Sequence, residues 1–427
     1  MNPEEKGWLN RYLEFRSNAK PVENLKKTFP RALDLDFQEQ SLYRIIQPTG
    51  LMYGHPIQLP YLRHPQMSEW SPTGKMKVIL TESFINSALL KDLPDLSPQD
   101  LQEHVRFSAT QMNQYFQSVY PEISVAQTTM WGKQKDPLRI SEETIEKRVT
   151  LRRKWNKNYW TSFFHSSLLF LDVVYFGEWF KDDKIMTADR IREVKDDLRL
   201  KLLKLIAAAA HADEVIQKEE RNLFDYFLES SNLPLIMKKE AVDILHQGIE
   251  VKDVGLETID SWVIKKYFLD LAILTVWADQ EVNSSEKQFL MELSQLLGFS
   301  KDDLEQSELS IEAFVLEHWG QVHYLQSRHN FHIVRDNMIK RLKYILVKNK
   351  DRVAQEIRES QELMALLNKS RKQQLTKEEQ AKVREQLIDI IKIMPTVIII
   401  ALPFTFITLP ILLSVMPKSS FPSAFQD

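Results

Sequence analysis

The sequence predicts an all-α protein: a multi-helix cytoplasmic domain containing a duplicated helical hairpin, followed by one proline-kinked transmembrane segment near the C-terminus. Three observations predict it. Ten glycines and eighteen prolines among 427 residues, against abundant Leu, Lys, Glu and Gln, favour long helices over sheet. A helix-turn-helix pattern recurs at an offset of 66 residues, Leu203 to Pro234 over Leu269 to Ser300. Residues 393–416 carry no charge at all.

The N-terminal region, residues 1–140, opens with a helix from Pro3 to about Asn18, whose Trp8, Leu9, Tyr12 and Leu13 share one face at helical spacing and are expected to pack in the core. Residues 47–75 hold five prolines and three glycines and are expected to form an ordered loop, because Tyr53, Tyr61 and Trp70 give it something to bury. Helices are expected at Met76 to Lys91 and again after Ser97-Pro98, a natural N-cap followed by a proline at the first helical position.

A second region, 141–330, begins with a helix near Ser141 that leads through Arg148, Arg152, Arg153 and Lys154 into YWTSFFHSSLLFLDVVYFGEWF, ending at Phe180. That run is too interrupted by Asp172 and Glu178 to span a membrane and is expected to be core. The repeats follow, 203–234 and 269–300, with Ala212-Asp213 over Ala278-Asp279 and Glu220 over Glu286. By position, each Asp caps a turn and each Glu sits in the first turn of the next helix, where the helix dipole favours it. This unit resembles the tellurite-resistance TerB-type helical domain, although Glu214 and Gln280 replace its turn glycine. The resemblance implies a metal site at Asp213, Glu219 and Glu220 and at Asp279, Glu281 and Glu286; hard cations want about six or more oxygens, which neither turn supplies, so no metal or other cofactor is expected. Histidines 318, 323, 329 and 332 form a loose cluster with no carboxylate to complete a metal motif.

Residues 331–392 read as long basic amphipathic helices, with one continuous helix from about Phe331 to Leu367. Lys340, Arg341, Lys343, Lys348, Lys350 and Arg352 form a candidate docking face for anionic headgroups or ribosomal RNA phosphates; with Arg335, and against Asp336 and Asp351, the local net charge is +5. A solvated helix face is the plainer reading of the same charge run. Thr376 and Glu379 make a capping box for the last helix before the apolar stretch.

In residues 393–416, fourteen Ile, Val, Leu or Phe make a helix of roughly 36 Å, enough for a hydrocarbon core of about 30 Å with some tilt. Pro395, Pro403 and Pro410 kink it and Pro417 closes it. Lys377, Lys382, Arg384 and Lys392 precede it and only Lys418 follows in the short tail 417–427, so residues 1–392 are expected in the cytoplasm. From Leu375-Thr376-Lys377-Glu378-Glu379, through Met394-Pro395, Leu402-Pro403-Phe404 and Leu409-Pro410, to Phe421-Pro422-Ser423-Ala424-Phe425, the chain resembles the LETM family of membrane proteins and its bacterial, biofilm-associated relatives. That resemblance implies an inner-membrane location, a ribosome or envelope proteins as partners, and cation/proton exchange as an alternative activity. Phe406 stands where the family carries a glutamate, and the family's ribosome-binding domain has no counterpart in the residues after Met416.

No P-loop, dinucleotide fingerprint, His-Glu-x-x-His or nucleophile elbow is present, so an enzyme is not expected. A net charge of −3 argues against DNA as a partner. Zero cysteines exclude disulfides and thiol chemistry.

Overall fold

The computed structural model is all-helical. It describes residues 1–427 except 30, 32, 35–36, 93–96, 98–99, 124, 151–158, 182–185, 213–217, 277–283, 318–330, 371–372, 394–407 and 418–427. Among the described residues there is no strand, only an isolated bridge between Thr128 and Gln134. The chain divides into two compact units, Met1–Thr275 and Val276–Asp427.

The first unit holds α1 (Trp8–Asn18), α2 (Pro21–Thr28), α3 (Gln38–Ile46), α4 (Pro72–Asp92), α5 (Leu101–Val119), α6 (Pro137–Val149), α7 (Tyr159–Ser167), α8 (Leu169–Lys181), α9 (Ala188–Ala210), α10 (Lys218–Ser230), α11 (Leu235–Gln247) and α12 (Trp262–Val276). The core is built around α4, which packs against α3, α5, α6 and α8 and is buried on every side from Met76 to Leu90. Such a helix needs apolar residues all round, and its polar members must find partners. Glu82 does so by accepting from Arg16 Nε at 2.8 Å and from Tyr12 Oη at 2.8 Å, which fastens α1 to α4. Ser87 Oγ donates to the Val173 carbonyl at 2.8 Å; α8 comes this close because residue 177 is glycine, where a Cβ would lie 2.3 Å from Ser87 Oγ.

The aromatic run 159–180 is core, as its composition predicts: Phe163, Phe164, Phe170 and Phe176 are fully buried, and Phe176 meets Phe84 edge-on with ring centroids 4.8 Å apart. Its Asp172 is the focus of a buried ionic centre. Arg148 donates to Asp172 Oδ2 from Nη2 at 2.9 Å and from Nε at 3.2 Å, Lys195 Nζ contacts Oδ1, and Tyr120 Oη donates to Oδ1 at 3.1 Å. Arg199 Nη2 reaches Tyr120 Oη at 2.8 Å. Burial, with the neighbouring Arg199 and Arg148, pushes the Lys195 ammonium well below its usual range. Burial beside Arg148 likewise lowers His165 to about 4, although its Nε2 is 3.1 Å from the Arg148 carbonyl. The expected basic cluster therefore contributes Arg148 to the interior.

The face of Trp8, Leu9, Tyr12 and Leu13 is buried, and so are Tyr53, Tyr61 and Trp70 of the proline-rich loop. Gly54 holds that loop against α7: its φ is +62°, and a Cβ there would stand 2.1 Å from the Phe163 carbonyl oxygen. Tyr43 Oη and Tyr53 Oη donate to Asp270 Oδ2 of α12 at 2.7 and 3.3 Å, and Glu39 accepts from the Val263 backbone N–H at 3.0 Å. Four helix starts differ from expectation: α1 begins at Trp8 rather than Pro3, and α4 at Pro72 rather than Met76. α5 begins at Leu101, after a turn in which Ser97 Oγ donates to Asp100 at 2.6 Å. α6 begins at Pro137 rather than near Ser141, because Asp136 accepts from the backbone N–H of Leu138 at 2.8 Å and is the stronger cap.

The second unit holds α13 (Ser284–Leu296), α14 (Lys301–Glu317), α15 (Phe331–Lys348), α16 (Lys350–Glu359), α17 (Gln361–Ser370), α18 (Lys377–Ile393) and α19 (Leu409–Val415). The single helix expected over 331–367 is in fact three. Asn349 and Ser360 interrupt it: Asn349 Nδ2 donates to the Ile345 carbonyl at 2.8 Å, and Ser360 Oγ accepts from the Leu363 N–H at 3.3 Å. Short polar side chains that bond to local backbone compete with helix in this way. The capping box of α18 is present in both directions, Thr376 N–H to Glu379 Oε2 at 3.0 Å and Glu379 N–H to Thr376 Oγ1 at 3.3 Å. Of the apolar stretch, Ile393 closes α18, residues 394–407 lie outside the described residues, and α19 packs on α15 and α18 through the buried Leu412 and Val415. Among the described residues no helix is long and apolar enough to cross a membrane.

Candidate docking face

α15 buries Val334, Met338, Leu342, Ile345 and Leu346, and α16 buries Val353, Ala354 and Ile357. The six cations expected to form one face are divided by that packing. Arg341 turns toward α14 and enters a cage of carboxylates, contacting Glu305 and Glu308 and donating from Nε to Glu312 Oε2 at 3.2 Å. Lys348 pairs with Asp302 on the same helix. Asp302, Glu305, Glu308 and Glu312 recur at spacings that place them along one stripe of α14, antiparallel to the Arg341-Lys348 edge of α15. Arg341 is thus engaged inside the unit, which corrects its assignment to a docking surface, whereas Lys348 stays exposed and pairs with Asp302 at the surface.

Three carboxylates around one guanidinium leave a surplus of negative charge in a dry place. Burial raises Glu312 to about 7 in spite of Arg341, and it raises Glu308 in the same direction. Burial alone would lower the Arg341 guanidinium; Glu312, Glu308 and Glu305 more than reverse that.

On an adjacent face of α15, Lys340 and Lys343 are exposed, and with them stand Tyr344 and Val347, 44% and 47% exposed. Positions 340, 343, 344 and 347 follow the i, i+3, i+4, i+7 rule, so they make one face. Tyr344 and Val347 were not among the expected site residues; their spacing from Lys340 was the available signal. Lys350 is exposed at the start of α16 and Arg352 is half-buried. A face with two ammonium groups, a phenol and a branched apolar side chain can meet phosphate oxygens and an apolar surface together.

The remaining expected site residues are dispersed. Asp213, Asp279 and Glu281 lie outside the described residues, as do Pro395, Pro403, Phe404, Phe406 and histidines 318, 323 and 329. Glu220 is half-buried in α10, and Glu286 is buried in the first turn of α13, where the helix dipole favours a carboxylate. His332 is exposed on α15. Pro410 is in the first turn of α19, and Pro417 follows Met416 just beyond that helix. Among the described residues, no group of three or more metal-ligating side chains could hold a metal ion.

Fold and site define an all-α protein with a mixed basic and apolar helix face. No known protein family matches the chain, and no solved structure does. It is similar to the co-chaperone protein DjlA of Vibrio cholerae, 31% identical over 104 residues, and to that of Vibrio parahaemolyticus, 28% identical over 123 residues. These matches cover 22% and 27% of this chain, and it spans only 37% and 43% of the length of those relatives.

Proposed function

We propose that this chain is a non-enzymatic helical interaction protein, held at the cytoplasmic face of a bacterial inner membrane by residues 393–416, with α15 as its docking surface. The observation that carries the reading is the exposed face of Lys340, Lys343, Tyr344 and Val347 on a helix whose neighbour α19 belongs to the apolar stretch. Such a face suits a surface rich in phosphate, and the resemblance to the LETM family makes the ribosome the first partner to test. The test compares proteins captured by the full-length chain from detergent-solubilised membranes with those captured by the double variant Lys340→Glu, Lys343→Glu. Ribosomal proteins should dominate the first sample and fall away in the second. Equal capture by both would remove α15 as the docking surface. A chain ended at Lys392 should leave the membrane fraction, and its retention there would overturn the anchoring role of 393–416.

The similarity to co-chaperones favours a second reading, in which the helical body docks a molecular chaperone. The same capture experiment then returns a chaperone, and the α15 variant leaves that signal intact if the docking surface lies elsewhere. Cation/proton exchange, the other activity implied by the LETM resemblance, is the weaker alternative because Phe406 replaces the ionisable residue that such transport uses; flux in proteoliposomes of the pure protein would revive it.

A further inference from the structure

The connection from α5 to α6 carries an ordered tip with no role in the face on α15. Thr129 N–H donates to the Lys133 carbonyl at 2.7 Å, Lys135 N–H to the Gln127 carbonyl at 2.9 Å, and Gly132 N–H to the Thr129 carbonyl at 3.0 Å. Gly132, at φ +75°, closes a three-residue loop, and Thr129 Oγ1 accepts from the Lys133 N–H at 3.2 Å. This small hairpin holds Met130 and Trp131 at its apex, 95% and 86% exposed. In a chain whose other aromatic residues are largely buried, a turn braced by four hydrogen bonds presents its indole to solvent.

We infer that the 127–135 hairpin is a membrane-interface probe, seating Met130 and Trp131 among the headgroups of an anionic bilayer while Lys133 meets their phosphates. Three observations favour a bilayer over another occupant. The tip is convex and small: a tryptophan contributes about 150–250 Å², against the roughly 800 Å² per partner of a stable protein interface. Residues 127–135 hold Lys133 and Lys135 and no acidic residue, with Lys133 exposed and Lys135 braced by Glu143 at 2.7 Å. Tryptophan, with a polar N–H on an apolar ring, is also the side chain that settles at the membrane boundary.

A second exposed apolar pair stands at the start of α11. Leu235 and Ile236, at the start of α11, are 85% and 84% exposed and precede Lys238 and Lys239. His211 bonds to the Leu245 carbonyl and Lys204 pairs with Glu240, so α9 and α11 run parallel and α11 begins beside the turn of α9 that carries Arg199. Arg199 in turn reaches Tyr120, from which the hairpin connection departs.

This inference rests on the membrane location proposed above, and the test separates the two. The chain has no cysteine, so Met130→Cys gives one unique site for an environment-sensitive fluorophore. The full-length labelled protein is bound to vesicles of phosphatidylcholine alone or with a minority of phosphatidylglycerol, with and without a nitroxide-bearing lipid. The expected result is a blue-shifted emission quenched by the nitroxide lipid, stronger on the anionic vesicles. Lys133→Glu should cut the inserted fraction's equilibrium constant on anionic vesicles roughly twenty-five-fold, two unit charges at about fivefold each, and leave neutral vesicles unaffected. Protein that floats with vesicles while the label stays in water overturns the probe and leaves the anchor standing. A blue shift without nitroxide quenching assigns the tip to a protein groove or a second copy, and also overturns it. Protein that does not float at all removes the membrane location itself.

Discussion

Lowering the pH should move the stabilities of the two units in opposite directions. Glu312 stands near 7 in the folded protein against an ordinary 4.5, so the folded state holds the extra proton. Its contribution is fully present below 4.5 and is lost as pH rises through 7. Going from about pH 8 to about pH 5.5 therefore stabilises the second unit by about 2 kcal/mol, and Glu308, raised likewise, adds to it. His165 is lowered from 6.5 to about 4, so there the unfolded state holds the extra proton. Its stabilising effect is complete above 6.5 and is lost as pH falls toward 4, which costs the first unit about 1.4 kcal/mol over the same interval. For units of these sizes the changes correspond to midpoints rising by roughly 4–8 °C in the second and falling by about 3 °C in the first. Hydrogen exchange on the full-length protein in detergent micelles, after correction for intrinsic rates, reads the units separately through amides of α15 and α8. Glu312→Gln should raise α15 protection at pH 8 and remove most of its pH dependence. If both units move the same way, or if Glu312→Gln keeps the full acid gain, the desolvated carboxylate cage does not control the second unit.

Three further outcomes follow from single contacts. Asp172→Ala leaves Arg148 and Lys195 buried without their carboxylate and should destabilise the first unit by about 3–5 kcal/mol in chemical denaturation. Gly54→Ala combines a positive φ with a Cβ inside the Phe163 carbonyl, so it should cost at least about 2–3 kcal/mol and release the 47–71 loop to proteolysis ahead of the rest. Thr376→Ala removes one half of the α18 capping box at a cost of about 1 kcal/mol, seen as faster exchange of the Glu379 amide with little change at α15.

The helical class, the buried aromatic run, the packed proline-rich loop and the Thr376-Glu379 cap were legible because each depends on composition or on contacts a few residues long. What was hidden depends on distant partners. Arg341 reads as one more surface cation until Glu305, Glu308 and Glu312 are brought against it by the packing of α14 on α15. Asp172 looks like an interruption of an apolar run until Arg148 and Lys195 close on it from two other helices. The breaks at Asn349 and Ser360 were missed because apolar spacing continues across them, while the competing side-chain bonds are visible only in three dimensions. The Met130-Trp131 tip was overlooked for the opposite reason, since a two-residue apex has no periodicity to detect.

The bond from Tyr43 to Asp270 joins residues 227 positions apart, and Glu39 caps the start of the same distant helix. At about 5–20 residues per second, the ribosome needs roughly 11–45 s to make the second partner after the first. Throughout that interval Tyr43 and Tyr53 lack the Asp270 carboxylate they donate to, and the apolar surface that α12 covers remains open to other nascent chains. Completion of this unit is therefore timed by the translation of α12, and slow codons ahead of residue 262 would lengthen the period in which the N-terminal third needs protection.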